Sequence, residues 1–191
     1  MALSHTIKHC SQCGTPVEEK IPLGETLLRA VCPACQTIHY ENPKIVAGCI
    51  PEWEDKILLC RRAIEPRLGL WTYPAGFMEL GESTEEAATR ETLEEAHADI
   101  RIYSLFGIFS LPHVSQVYVV YRAHLKNLDF KPGPESLEVQ LVSLPDIPWD
   151  QLAFPVIHES LRRYVQDTET AIPQTHSAIV PTKQHPSFYS S

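Results

Sequence analysis

The chain is short of positive charge. Sixteen Lys and Arg stand against 24 Asp and Glu, for a formal net charge of -8 over 191 residues. That balance lacks the basic footprint of a nucleic-acid-binding domain, so nucleic acid is not an expected partner. An apolar signal core is also missing, since the chain begins MALSHTIKHC. No apolar run approaches the length needed to span a bilayer. The expectation is therefore a soluble, cytoplasmic protein with no membrane partner. No internal repeat is visible. Nothing signals the oxidising compartment that a disulfide framework needs, so the six cysteines require another explanation. What is present is an ordinary globular composition, 43% hydrophobic, and a length that suits one full domain with a small accessory.

Four of the cysteines form two Cys-x-x-Cys pairs, Cys10/Cys13 and Cys32/Cys35, separated by 18 residues. Each pair can present two thiolates on one turn, and two such turns close a tetrahedral Zn2+ site. The segment between them carries turn residues and scattered apolar ones, enough for a hairpin and too few for a core. A structural Zn2+ would supply the missing stability. Four buried or redox-active thiols are the alternative. With four thiolates in the shell, His9 and His39 are spare ligands. Residues 1–42 thus read as a zinc ribbon, and Tyr40 to Pro43 as a linker. Cys49 and Cys60 lie inside apolar runs and read as core thiols.

Residues 43–168 carry the pattern of a second unit. Lys44 to Ile50 and Lys56 to Arg62 read as strands joined by a turn over Pro51 to Asp55. Leu70 to Ala75 is a shorter strand. Two further strands are expected at Ile100 to Leu111 and Val114 to Leu125, the second rich in β-formers. Another is expected at Val139 to Leu144. Pro155 can open a helix to about Thr168, with Val156, Leu161 and Val165 on its apolar side. Residues 169–191 have no periodicity and read as a flexible tail.

The segment from Gly76 to His97 holds seven glutamates. Ser83 followed by Glu86 is a capping-box pattern, which starts a helix just after Ser83. On that helix Glu91, Glu94 and Glu95 share one face. Composition alone favours a solvated acidic surface. Three like charges so close also suit a divalent cation that prefers oxygen, such as Mg2+. The spacing then decides. Gly76, five residues, Glu82, seven residues, then Arg90-Glu91-Thr92-Leu93-Glu94-Glu95 resembles the signature of the Nudix hydrolase family. Thr92 stands where that pattern has an apolar residue. His97 stands where it has Gly, the residue that lets the chain turn at a helix end.

The resemblance implies an α/β/α sandwich with a mixed sheet, preceded by the zinc ribbon. It implies hydrolysis of the pyrophosphate in a nucleoside diphosphate linked to another moiety, with a small nucleotide as partner. Glu91, Glu94, Glu95 and the Ala75 backbone carbonyl are then Mg2+ or Mn2+ ligands. Glu82 braces the loop or binds through water, and Arg90 orients a glutamate. The base is Glu135, Glu138 or Glu91 itself. Arg61, Arg62 and Phe77 are candidate substrate contacts, each with a plain surface or core role as the alternative. The region after the box reads GIFSLPHVSQVYVV and lacks the proline-rich selector of the NADH pyrophosphatase branch. An FAD- or ADP-ribose-like substrate is therefore preferred to NADH. A non-catalytic binding module is the other alternative, and a homodimer is one oligomeric option.

Overall fold

The computed structural model of the protein describes residues 7–170, 172 and 174–181. The chain divides into two compact units, Met1–Pro43 and Lys44–Ser191.

The first unit is an antiparallel sheet of β1 (Glu18–Lys20), β2 (Arg29–Val31) and β3 (Ile38–His39), one strand more than the expected hairpin. Among its described residues only Cys10, Val31 and Cys32 are buried hydrophobics. So little buried apolar area cannot hold a fold by itself, and the cysteines carry the load. Each Cys-x-x-Cys closes a tight turn. Gly14 N–H donates to Cys10 O and Gln36 N–H to Cys32 O, both at 2.9 Å, with left-handed Gly14 and Gln36 completing the turns.

The second unit is built on one mixed sheet. Its strands are β4 (Lys44–Trp53), β5 (Lys56–Arg62), β6 (Trp71–Thr72), β7 (Ala75–Phe77), β8 (Ile100–Leu111), β9 (Gln116–Leu125), β10 (Ser136–Ser143) and β11 (His176–Ile179). The spatial order is β10-β5-β4-β9-β8-β11, with β6 on β5 and β7 on β4. The β4–β9 and β8–β11 pairs are parallel. Two α-helices, α1 (Thr84–Ala96) and α2 (Pro155–Thr170), cover opposite faces. Alternation along the strands sorts the two cores. Val46, Ile50, Ile57 and Leu59 join Val156, Ile157 and Leu161 of α2. Ala47, Cys49, Leu58 and Cys60 join Ala87, Ala88 and Ala96 of α1. The small residues of α1 let it approach the sheet closely. The fold is the expected α/β/α sandwich.

Several expected boundaries move. β4 continues through Pro51, which pairs with Ala123, and the turn shrinks to Glu54 and Asp55 with Glu54 left-handed. Pro74 splits the expected Leu70 to Ala75 strand into β6 and β7, because proline cannot donate to a ladder. Val114 belongs to a 3-10 turn, Pro112–Val114, ahead of β9.

The flexible-tail expectation fails over β11. His176 Nε2 lies 3.0 Å from Asp167 Oδ2, and Val180 is fully buried, its N–H donating to Ser110 O at 2.9 Å. Four residues are too few to show a period, so the strand was invisible to pattern reading. The rest of that tail, residues 182–191, lies outside the described residues. Among the described residues no helix is long and apolar enough to cross a membrane.

Candidate functional site

The four paired cysteines converge. Cys10 Sγ lies 3.5 Å from Cys35 Sγ, and Cys13 Sγ lies 3.5 Å from Cys32 Sγ and 3.6 Å from Cys35 Sγ. All four sulfurs lie within 4.8 Å of one another. A tetrahedral zinc with Zn–S bonds of about 2.3 Å requires sulfurs about 3.8 Å apart, so this donor set fits. Backbone N–H groups of Gln12 and Cys35 point at Cys10 Sγ and Cys32 Sγ, at 3.4 and 3.5 Å.

In the second unit, the loop from Gly76 to Ser83 enters α1 through the expected capping box. Ser83 accepts from Glu86 N–H, and Glu86 accepts from Ser83 N–H. The cap fixes where α1 begins and so which residues face β7. Thr92 is fully buried, its hydroxyl donating to Ala88 O at 2.7 Å and lying 3.0 Å from Cys49 Sγ. The polar pair Thr92 and Cys49 thus satisfies itself inside the contact between α1 and β4.

Glu91, Glu94 and Glu95 all line one cleft of about 1160 Å³, together with Ala75, Gly76, Phe77, Arg90 and Glu135. Glu91 is half-buried against Gly76, where a Cβ would fall 2.2 Å from its carboxyl carbon. Glu95 is buried and accepts the Ala75 N–H at 3.2 Å. Burial pushes the Glu95 carboxyl up to about 8, against the opposing pull of the Ala75 hydrogen bond. Burial also raises Glu91, with Arg90 opposing. A buried carboxylate beside two more in one cleft is a hard-oxygen donor set of the kind that suits Mg2+ or Mn2+. Among the described residues, only the cysteines bring three or more ligand atoms within 4.8 Å. The glutamates share the cleft without that convergence: Arg90 Nη1 lies between Glu91 and Glu94, and Glu95 is turned to the Ala75 N–H.

Arg90 makes five hydrogen bonds. Its Nη1 reaches Glu91 Oε1 at 2.7 Å and Glu94 Oε2 at 3.2 Å. Nε and Nη2 grip Glu82 at 3.1 and 2.8 Å, and Nη2 also reaches Phe77 O at 3.1 Å. Glu82 in turn accepts the Glu79 N–H. Arg90 and Glu79 together hold the Glu82 carboxyl below its ordinary value. Glu82 therefore ties the loop to the helix through Arg90.

The C-terminal end of α1 is capped from elsewhere in the chain. His97 turns left-handed at φ 48°. Lys131 N–H donates to Ala96 O at 2.9 Å and Gly133 N–H to Glu95 O at 3.0 Å. These bonds satisfy carbonyls that a helix end leaves open. Gly133 sits so close that a Cβ would fall 1.7 Å from Glu94 O. Its close approach delivers Glu135 to the cleft.

Sequence-expected residues divide cleanly here. Glu135, Arg62 and Phe77 line the cleft. Glu138 and Arg61 do not: they face each other across β10 and β5 and pair with one another at 3.7 Å. Arg62 lies over the Phe154 ring at 5.2 Å and donates from Nε to Pro66 O at 3.0 Å. Sequence reasoning missed a further wall of the cleft, formed by Leu111, His113, Val114, Gln116 and Tyr118. All but His113 fell within expected strands, and β8, the 3-10 turn and β9 carry them to the cleft by topology alone. It also missed His97, although its departure from the pattern was a visible signal.

An α/β/α sandwich with a carboxylate-lined cleft at the foot of its first helix is the class of protein this geometry defines. Residues 8–41 match the family described as Nudix N-terminal, a zinc ribbon, and residues 42–164 match the NUDIX domain. The chain belongs to the Nudix hydrolase family. A crystal structure of a NUDIX hydrolase from Nitrosomonas europaea is 54% identical, with a TM-score of 0.89, covering 92% of this chain and 100% of that one. An ADP-ribose pyrophosphatase of Methanocaldococcus jannaschii is 33% identical over 128 residues, 64% of this chain and 72% of its own length. A NAD-capped RNA hydrolase NudC of Vibrio cholerae serotype O1 is 28% identical over 172 residues, 86% of this chain and 61% of its own. The chain spans about three fifths of that NudC relative's length.

Proposed function

We propose that the chain hydrolyses the pyrophosphate of a nucleoside diphosphate linked to another moiety, with an FAD- or ADP-ribose-like compound as substrate. The carrying observation is one cleft lined by Glu91, Glu94, Glu95 and Glu135 together with apolar and aromatic groups. A Mg2+ or Mn2+ ion held by Glu91, Glu94, Glu95 and the Ala75 carbonyl would offset phosphate charge and lower the pKa of a bound water. Arg62 is free to take a phosphate oxygen, because no described residue accepts from its terminal nitrogens. Arg90, fully committed to carboxylates and a carbonyl, orients Glu91 and does not bind substrate. Glu135 is exposed in the cleft and accepts the water's proton, with Glu91 as the alternative base. Phe77, half-exposed with Lys44 5.2 Å from its ring centroid, offers its ring to a base or flavin, while the Phe154 ring carries Arg62. A structural Zn2+ at Cys10, Cys13, Cys32 and Cys35 completes the first unit.

NADH is the second reading, favoured by the 28% identity over 145 residues to an NAD(P)H pyrophosphatase, NUDT13, of Mus musculus and by the similarity to NudC. The segment that brings Leu111, His113 and Val114 to the cleft contains one proline, Pro112, and is not the proline-rich selector of the NADH branch, which favours the first reading. A panel of ADP-ribose, FAD and NADH assayed with Mg2+ tests both. The expected order places ADP-ribose or FAD above NADH in kcat/KM. The reverse order would transfer the chain to the NADH reading, and no turnover of any of them would leave the non-catalytic module.

Zinc is checked separately. Purified protein should contain one zinc per chain by elemental analysis, and Cys32→Ser should lose it. That variant should loosen the first unit and spare turnover in the second by more than half. Zinc retained at full stoichiometry would refute the four-thiolate site.

A further inference from the structure

His97 occupies a backbone position built for glycine. Its φ of 48° and ψ of 28° are left-handed, where a Cβ crowds the following carbonyl at a cost of about 1 kcal/mol. Glycine there would avoid the cost and end the helix as well. The side chain is exposed and lines the same cleft as the glutamates. Among the described residues none forms a hydrogen bond, ion pair or ring contact with its imidazole. A strained residue whose ring serves nothing within the chain, at the edge of a substrate-sized cleft, points outward to a ligand.

We propose that His97 is a substrate contact, donating a ring N–H to an oxygen of the bound nucleotide. The inference rests on the pyrophosphatase reading and deepens it. Arg90 is spent on Glu82, Glu91 and Glu94, so the cleft must meet a polyanion with other donors. Arg62 and His97 are two of them, beside His113, Gln116 and Tyr118, and of these five only His97 stands on α1's own end, next to the glutamates. The imidazole keeps one N–H donor even when neutral, so the contact does not depend on its protonation. The competing explanation is a helix terminator only, with a ring that complements the negative end of the α1 dipole.

The two explanations separate in a comparison of His97→Gly and His97→Asn, with kcat and KM measured on Mg2+–ADP-ribose and thermal melts alongside. Glycine relieves the strain and removes the donor. Its KM should rise about three- to tenfold, the loss of one hydrogen bond, with kcat within about twofold and Tm unchanged or higher. Asparagine tolerates the left-handed backbone and keeps an N–H donor, so it should recover most of the lost affinity. His97→Gly with an unchanged KM, in an active protein, would overturn the contact and leave the pyrophosphatase reading standing. A wild-type protein inactive on the whole nucleotide panel would remove that reading, and the contact with it.

Discussion

Glu95→Gln should lower kcat on the order of 100-fold or more, while Glu85→Gln should leave it within about twofold. Both residues lie on α1 and carry the same side chain, so a general charge effect predicts similar losses. Their settings differ. Glu95 is buried at the floor of the cleft, 3.2 Å from the Ala75 N–H, whereas Glu85 is exposed in the first turn. Stability should move the other way. The Glu95 carboxyl is raised from 4.5 to about 8 in the folded chain. A raised carboxyl holds its proton in the folded state after the unfolded chain has released it. Without divalent metal, wild-type stability should therefore fall as pH rises from about 4.5 to about 8. Glu95→Gln removes that loss. In EDTA at pH 8.5 it should melt above wild type, whereas Glu85→Gln should lose well under about 1 kcal/mol of helix-end stability. Steady-state kinetics at saturating Mg2+ and circular-dichroism melts in EDTA measure both arms. Equal, small activity losses would reduce the acidic stretch to a solvated surface.

That contrast was partly legible in the sequence. The capping box fixed the start of α1, and spacing put Glu91, Glu94 and Glu95 on one face. Which of them is buried was not legible, because burial depends on how closely β7 approaches the helix. The small residues Ala87, Ala88 and Ala96 allow that approach, and the sheet determines its direction. The two Cys-x-x-Cys pairs were readable because metal ligation needs fixed local spacing. Glu135 and Glu138 were not separable. Three residues apart, Glu135 just before β10 and Glu138 within it, they part because Gly133 is pinned to the end of α1 and Glu138 meets Arg61 across the strands. Arg61 and Arg62, adjacent on β5, divide by the same alternation. Contacts between distant segments decided each of these, and one sequence without its fold does not contain them.

β11 was missed for a related reason. Its support is long-range: the parallel pairing with β8, the Asp167–His176 pair, the Phe106 ring against His176 and the buried Val180. Val180 follows β11 and bonds to Ser110, next to Leu111 of the cleft wall. The C-terminal strand thus backs the strand that carries the wall missed in the sequence.

Gly76 and Gly48 give the second large effect, and they should fail differently. At Gly76 a Cβ would fall 2.2 to 2.3 Å from the Glu91 carboxylate, the far end of a flexible side chain. Glu91 can swing away, so the fold need not shift. The backbone of Gly76 is not left-handed, and alanine there narrows the unfolded ensemble, which favours the folded state by a few tenths to about 1 kcal/mol. Gly76→Ala should therefore keep or slightly raise Tm while displacing Glu91 from the cleft. The expected fall in kcat is on the order of 100-fold or more, comparable with deleting a metal ligand. At Gly48 a Cβ would meet Ala75 Cβ at 2.4 Å and Pro74 O at 2.6 Å, neither of which can rotate aside. Gly48→Ala must push β7 from β4 and should cost about 1 to 3 kcal/mol in stability as overpacking. Chemical denaturation and kcat on the two variants separate the outcomes. If Gly76→Ala lost stability and activity in the same proportion as Gly48→Ala, the close approach of Gly76 to Glu91 would be a packing detail. Activity lost without stability would show that the glycine exists to leave room for a working carboxylate.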